Sequence, residues 1–226
     1  MAWRSSGDSN EQLIEQLQDC EQFTSIKVKN AMLAVDRGDF TPISPYSDSP
    51  QRIGFGATIS APHMHAAALE HLKDHLIPGA NVLDVGSGSG YLTACMAHMV
   101  EPSGSVVGIE HIPELVHLGK VNVSKNHKYM LDNETIMFVE GDGRQGYSPK
   151  APYKAIHVGA AAKGIPDALL EQLDIGGRMM IPVELDNGDQ VFLQIDRHLN
   201  NKITKKKVED VMYVPLTSKS AQLRMK

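Results

Sequence analysis

VLDVGSGSGYL, residues Val82 to Leu92, is an apolar run that breaks into three alternating glycines and then resumes as an apolar segment. The first part reads as a buried strand, and the segment from Tyr91 to Val100 has the length and composition of a helix. Glycines at a strand-to-helix junction permit positive φ and let backbone approach a ligand closely. The helix behind them offers unpaired N–H groups and the positive end of its dipole. Such a junction holds a phosphate or a carboxylate equally well. Read outward from here, the chain repeats one grammar. NVLDVG (81–86), SVVGIE (105–110), MFVEG (137–141), AIHVGA (155–160) and RMMIPV (178–183) read as buried strands. Helical stretches at Tyr91–Val100, Glu114–Asn126 and Ile165–Leu173 separate them. Strand and helix in alternation imply an α/β, Rossmann-like, doubly wound and mostly parallel sheet. QVFLQID (190–196) and VEDVMYVPL (208–216) follow, with the polar connection RHLNNKITKKK and no helix between them. They read as an antiparallel C-terminal addition, with Lys205–Lys207 as a solvated strand flank.

The segment before this core is different. Glu11–Gln18 and Ser25–Arg37 read as helices, with Gly38 as a stop signal. Phe40–Gly56 (FTPISPYSDSPQRIGFG) is a loop rich in proline, serine and glycine. A helix with His65, Leu69, Leu72 and Leu76 on one face ends at Pro78-Gly79. The expected organisation is one domain over 1–226. It has a frayed tail at 1–9, N-terminal helices and a substrate-side loop over 10–80, and a Rossmann-like core over 81–226.

The ligand is narrowed by the details of the glycine loop. A dinucleotide fingerprint is G-x-G-x-x-G, but here the sixth position is Tyr91 and the pattern is G-x-G-x-G after Asp84. Glu110 ends the next strand 24 residues after Gly86, where an acid accepts hydrogen bonds from ribose hydroxyls. Glu140-Gly141-Asp142-Gly143 closes the third strand, placing an acid to meet an adenine amino group. A P-loop lysine is absent. The ligand therefore has a ribose and an anionic or zwitterionic head without a pyrophosphate, and S-adenosylmethionine fits.

Bulk properties exclude other classes. A net charge of −5, from 22 basic and 27 acidic residues, with 5% aromatic residues, argues against nucleic acid as a partner. Two cysteines make neither a disulfide framework nor a metal cluster, so no metal is expected and Cys95 reads as a buried thiol. No apolar stretch is long enough to span a membrane, and no signal peptide opens the chain. A cytoplasmic compartment follows as the expectation.

DVGSGSG, the acid-ending second strand and EGDG resemble the class I S-adenosylmethionine-dependent methyltransferases. GFGATISAPHMHA (54–66), IHVGAAA (156–162), GGRMMIPV (176–183) and YVPLT (213–217) closely resemble the protein-L-isoaspartate (D-aspartate) O-methyltransferase family. The likeness runs from about residue 25 to the carboxyl end. It departs at Gly56 and in the non-aromatic tail SAQLRMK (220–226).

The resemblance implies methyl transfer to the α-carboxylate of L-isoaspartyl residues, with D-aspartyl residues as further acceptors, in damaged proteins and peptides. It implies S-adenosyl-L-homocysteine as the other product and a succinimide on the way to repair. It implies Ser60 as the catalytic residue, donating a hydrogen bond to the substrate carboxylate. Thr58, Ile59, Ser60, Ala61, Val158, Gly159 and Ala160 become substrate-binding residues. Ile53, Gly54, Phe55, Gly56, His65, Gly86, Ser87, Gly88, Ser89, Gly90, Glu110, Asp142, Gly143, Thr217 and Gln222 become cofactor-binding residues. A monomer is expected.

A carboxylate is already ionised at neutral pH and needs no general base. A negative nucleophile meeting a positive sulfonium loses charge in the transition state, so a fixed lysine or arginine at the carboxylate would favour the ground state. That explains why Ile53 to Leu69 carries no formal charge and why a hydroxyl is the anchor. Ser60 also reads as an N-cap for the helix after Pro62, although the capping-box position holds His63 rather than Glu or Gln. His157 reads as a core histidine. A methyltransferase for a small carboxylate or a nucleic-acid base is the competing enzyme reading, and a non-catalytic cofactor-binding module is the competitor from another class.

Overall fold

A computed structural model describes residues 5–224. Its centre is a seven-stranded sheet built from β3 (Asn81–Val85), β4 (Ser105–Glu110), β5 (Ile136–Glu140), β6 (Tyr153–Val158), β7 (Leu173–Glu184), β8 (Gln190–Arg197) and β9 (Ile203–Val211), in the order β5-β4-β3-β6-β7-β8-β9. The pairs from β5 through β7 are parallel, and β7-β8 and β8-β9 are antiparallel. This is the expected mixed α/β sheet. Strand order reverses between β3 and β6, and ligands in open α/β sheets bind beyond the carboxyl ends at such a point.

The period of two divides β3 between two cores. Val82 packs into the larger one, with α1 (Asn10–Asp19), α2 (Ile26–Ala34), α3 (Pro62–Leu72), α4 (Tyr91–Val100), α5 (Pro113–Asn126) and α6 (Lys128–Asp132). Leu83 and Val85 pack into the smaller one, with Leu169 of α7 (Asp167–Gln172). The second face of the sheet is thus covered thinly. A two-stranded hairpin, β1 (Gln51–Gly54) and β2 (Ala57–Ile59), leads into α3, and α8 (Lys219–Gln222) follows the sheet.

Several expectations are corrected. Residues 5–9 are not a frayed tail. Ser5 is buried, Ser6 bridges Ser47, the Gly7 amide donates to the Tyr46 carbonyl, and the Ser9 hydroxyl caps α1; residues 1–4 lie outside the described residues. The loop 40–56 ends in a strand, β1, which four residues of mixed polarity do not announce. The second helix stops at Ala34, and Arg37–Asp39 form a separate 3-10 turn capped by Asp36. β7 begins at Leu173 rather than Arg178, carrying Gly176 at φ +74° and an irregular register against β6. Lys205–Lys207 lie inside β9 rather than beside it, since an edge strand tolerates exposed lysines. Residues 212–216 leave the sheet, and Pro215 bridges Ala161.

Candidate active site

The glycine loop forms as expected, and its glycines do different jobs. Gly86, Gly88 and Gly90 all have positive φ. Gly90 begins α4 from a left-handed conformation, and a Cβ there would lie 2.9 Å from Phe138 Cζ. Its role is packing. A Cβ on Gly86 would meet nothing within 4 Å, because that face opens on the cavity. Thr93 Oγ1 donates to Asp84 Oδ2 (2.5 Å), and Asn122 Nδ2 donates to the Ser89 carbonyl (3.0 Å), tying the loop to α4 and α5.

Beyond β3 and β6 lie two adjoining compartments, which share Thr58, Gly86, Gly88 and Gly159 in their walls. The larger, about 530 Å³ with the space open to solvent included, is lined by Gly86, Gly88, Glu110, Gly143, Gly159, Ala160, Thr217 and Gln222 among others. The second, about 340 Å³, is lined by Thr58, Ile59, Ser60, His65, Ser87, Ser89 and His157 among others. Glu110 is buried. Its carboxylate accepts from the amides of Ile112 (3.0 Å) and Gly88 (3.4 Å), and burial raises its pKa against those bonds. Ser87 Oγ is buried without a hydrogen-bond partner among the described residues. An orphaned hydroxyl beside a glycine whose missing Cβ faces open space fits a polar ligand, and the ribose-and-amino-acid shape of S-adenosylmethionine suits both compartments.

Ser60 follows β2 and precedes α3. The N-cap of α3 is Ala61, which makes no side-chain capping bond. Capping instead comes from Asp48, whose Oδ1 accepts from the His63 amide (2.9 Å) and lies 2.8 Å from His63 Nδ1. The capping reading of Ser60 is therefore overturned: its hydroxyl makes no hydrogen bond among the described residues, and its side chain lines the cavity. Its carbonyl accepts from Arg37 Nη2 (2.8 Å).

His65 lines the same compartment, with its Nδ1 3.3 Å from Arg37 Nη1. Burial first, then the Arg37 charge, pushes its pKa well below the usual histidine value. His157, expected to be a core histidine, is buried on β6 but faces this compartment, with its Nδ1 2.8 Å from Asp84 Oδ1.

The carboxyl-terminal strap closes the other side. The Ala161 amide donates to the Val214 carbonyl, and the Leu216 amide donates to the Ala161 carbonyl, laying 214–217 across the end of β6. Gln222 then spans the larger compartment. Its Nε2 donates to the Phe55 carbonyl (3.1 Å) and its Oε1 lies 2.8 Å from His111 Nε2.

The predicted residues separate into four groups. Thr58, Ile59, Ser60, His65, Gly86, Ser87, Gly88, Ser89, Glu110, Gly143, Gly159, Ala160, Thr217 and Gln222 line the cavity. Ile53, Gly54, Phe55 and Gly56 form the hairpin rim. Ile53 Cδ1 approaches Gly88, and Gly56 lies under Gln222. Ala61, Gly90 and Val158 stand behind the cavity wall and support it. Asp142 is outside the lining, with its carboxylate held by Arg144 Nε and Nη2 (2.9 and 2.6 Å), and that hydrogen bonding lowers its pKa. Sequence reasoning missed Arg37 and His111. Arg37 is a buried cation at a helix end, where composition suggests a solvated residue, and nothing local in the sequence marks either one.

With this geometry in view, the likenesses are specific. The family profile described as protein-L-isoaspartate (D-aspartate) O-methyltransferase matches residues 8–221. The protein-L-isoaspartate O-methyltransferase of Caenorhabditis elegans is 60% identical over 222 residues, covering 98% of each chain. The Triticum aestivum enzyme of that name is 51% identical, over 96% of this chain and 95% of its own. A Plasmodium falciparum β-aspartate methyltransferase structure, in complex with S-adenosyl-L-homocysteine, superposes with a TM-score of 0.87 at 35% identity, covering 93% of this chain and 99% of that one. The chain belongs to the protein-L-isoaspartate (D-aspartate) O-methyltransferase family, and is an S-adenosylmethionine-dependent enzyme that methylates isoaspartyl residues in protein repair.

Proposed function

We propose that Ser60 and the compartment around it bind the isoaspartyl carboxylate, while Glu110 and the glycine loop hold the cofactor. The observation that carries this reading is the unpartnered Ser60 hydroxyl facing the cavity, with helix capping assigned to Asp48. S-adenosylmethionine, when bound, supplies a methyl group activated by its sulfonium.

The chain's own residues then have to bind, orient and exclude water; no proton moves. Ser60 donates one neutral hydrogen bond to the substrate carboxylate. Thr58, Ile59, Gly159 and Ala160 shape the slot beside it. The buried Glu110 carboxylate receives the ribose hydroxyls, with the Gly88 and Ile112 amides holding it in place. Ser87 Oγ gains the partner it lacks. Gly143 gives the adenine a close backbone approach, and Asp142 meets the adenine amino group only if Arg144 yields. Gln222, latched to Phe55 and His111, closes the strap over the nucleoside.

The proposed acceptors are isoaspartyl-containing proteins and peptides, with D-aspartyl sites included, and neither nucleic acid nor membrane is proposed as a partner. No helix among the described residues is long and apolar enough to cross a membrane, and no acidic, histidine or cysteine cluster among them could hold a metal ion. The chain is proposed to work as one domain, as a monomer, in the cytoplasm. After transfer, the ester collapses to a succinimide without further help. Ser60→Ala assayed on an isoaspartyl peptide tests the assignment. Loss of transfer with S-adenosylhomocysteine binding retained supports it, and full activity contradicts it.

A further inference from the structure

Arg37 is fully buried, yet among the described residues no carboxylate forms an ion pair with it. Asp48 acts on it only from beyond contact distance, and removing a guanidinium from water without a contacting counter-ion is costly, so the position needs a reason. Its contacts supply one. Nη2 donates to the Ser60 carbonyl (2.8 Å), Nη1 lies 3.3 Å from His65 Nδ1, and Cζ sits 5.4 Å from the Tyr91 ring centroid. His65 in turn packs on Tyr91 with centroids 5.1 Å apart. The residue's own backbone is fixed from the other side, its amide donating to Asn10 Oδ1 (3.3 Å) while Asn10 Nδ2 donates to the Met32 carbonyl (3.0 Å). One residue thus links the α1–α2 corner, through its backbone amide, with the α4 aromatic and the segment that carries Ser60, through its side chain.

A guanidinium has donors only. His65 Nδ1 must therefore accept, which puts the ring proton on Nε2. His65 is a neutral ring with one defined donor on the wall of the compartment that also contains Ser60. We infer that Arg37 is a positioning residue for methyl transfer, orienting the Ser60 peptide through its carbonyl and fixing His65 as the neutral Nε2–H tautomer. It rests on the assignment of Ser60 and His65 to the reaction site. The arrangement also keeps the positive charge behind a carbonyl and an imidazole. A cation in direct contact with the substrate carboxylate would stabilise the ground state more than the transition state. Burial lowers the Arg37 pKa to about 10, which leaves it charged at neutral pH. The groups facing His65 are Arg37 from the 3-10 turn, His63 from its own helix, His157 from β6 and Tyr91 from α4. Removal of Arg37 relieves one of the charges that oppose protonation of His65.

The test has two parts. The first needs no variant: 15N-labelled histidine in the wild-type protein, observed by NMR at neutral pH, should show His65 as neutral Nε2–H. An Nδ1–H tautomer or an imidazolium overturns the inference, whatever the activity assay gives. The second compares Arg37→Lys and Arg37→Gln. Both should lower kcat on an isoaspartyl peptide roughly 10- to 100-fold with little change in the dissociation constant for S-adenosylhomocysteine, and His65 should lose its single tautomer in Arg37→Gln. Lysine keeps the charge but cannot span both acceptors, so it should not restore kcat. Folded variants with wild-type kcat overturn the positioning role. If Ser60→Ala also left transfer intact, the assignment of the site rather than of Arg37 would be at fault.

Discussion

The hydroxyl of Ser60 is available for a substrate because another residue does the structural work next to it. A hydrogen bond to a charged group contributes about 1.5–3 kcal/mol, so Ser60→Ala should lower kcat/KM by roughly 10- to 100-fold. The melting temperature should not move, since no hydrogen bond within the protein is lost. A large drop in melting temperature would show a structural role that the geometry denies. Glu110 makes the complementary case. Its pKa is raised in the folded chain by burial, so ionising it costs stability: the folded state gains as pH falls through that raised value toward the ordinary one. Glu110→Gln should leave the ligand-free protein as stable as wild type, or more so, at neutral pH, while weakening S-adenosylhomocysteine in calorimetry. Unchanged affinity would contradict the ribose assignment. Sequence alone placed Glu110 well, because an acid at a strand end depends on local pattern. It left open whether Ser60 caps α3, because the capping carboxylate, Asp48, reaches the His63 amide from another element. It read His157 as a satisfied buried histidine, which it is, but not that its partner is Asp84 or that it borders the cavity.

At the scale of the element, the glycine loop separates packing from binding. Gly90→Ala should strain a residue at φ +85° and drive a Cβ against Phe138 and Gly119, a combination that costs about 2–5 kcal/mol and lowers the melting temperature by about 4–20 °C. Gly86→Ala carries the backbone strain at φ +76° but meets no protein atom. It should destabilise the protein less and impair cofactor binding more. Thermal melts and cofactor titrations on the two variants check this contrast, and a reversed order would contradict it. Asp48→Ala removes the cap of α3 and should cost about 1–2 kcal/mol, a fall of about 2–8 °C in melting temperature. The parallel strands were legible because burial on both faces makes them continuous apolar runs. The β1–β2 hairpin was not, because its short strands carry no period and its register comes from pairing alone.

The whole molecule brings residues 60, 65, 110, 157 and 222 to one cavity, with Arg37 behind its wall, and no local pattern predicts that assembly. The α/β architecture follows from alternation along the chain, whereas the route of 212–222 over the cavity depends on contacts with Ala161, Phe55 and His111. The exposed large apolar residues are dispersed along the chain, from Ile26 to Leu223, and a monomer is the proposed state. Sedimentation should give a mass near 24.7 kDa, and a stable dimer would contradict that proposal. The central claim is tested by two peptides that differ only in one linkage, L-isoaspartyl against L-aspartyl, incubated with the protein and methyl-labelled S-adenosylmethionine. Base-labile methyl ester should form on the isoaspartyl peptide alone. Equal labelling of both peptides, or labelling of neither while cofactor binding is intact, would contradict the account.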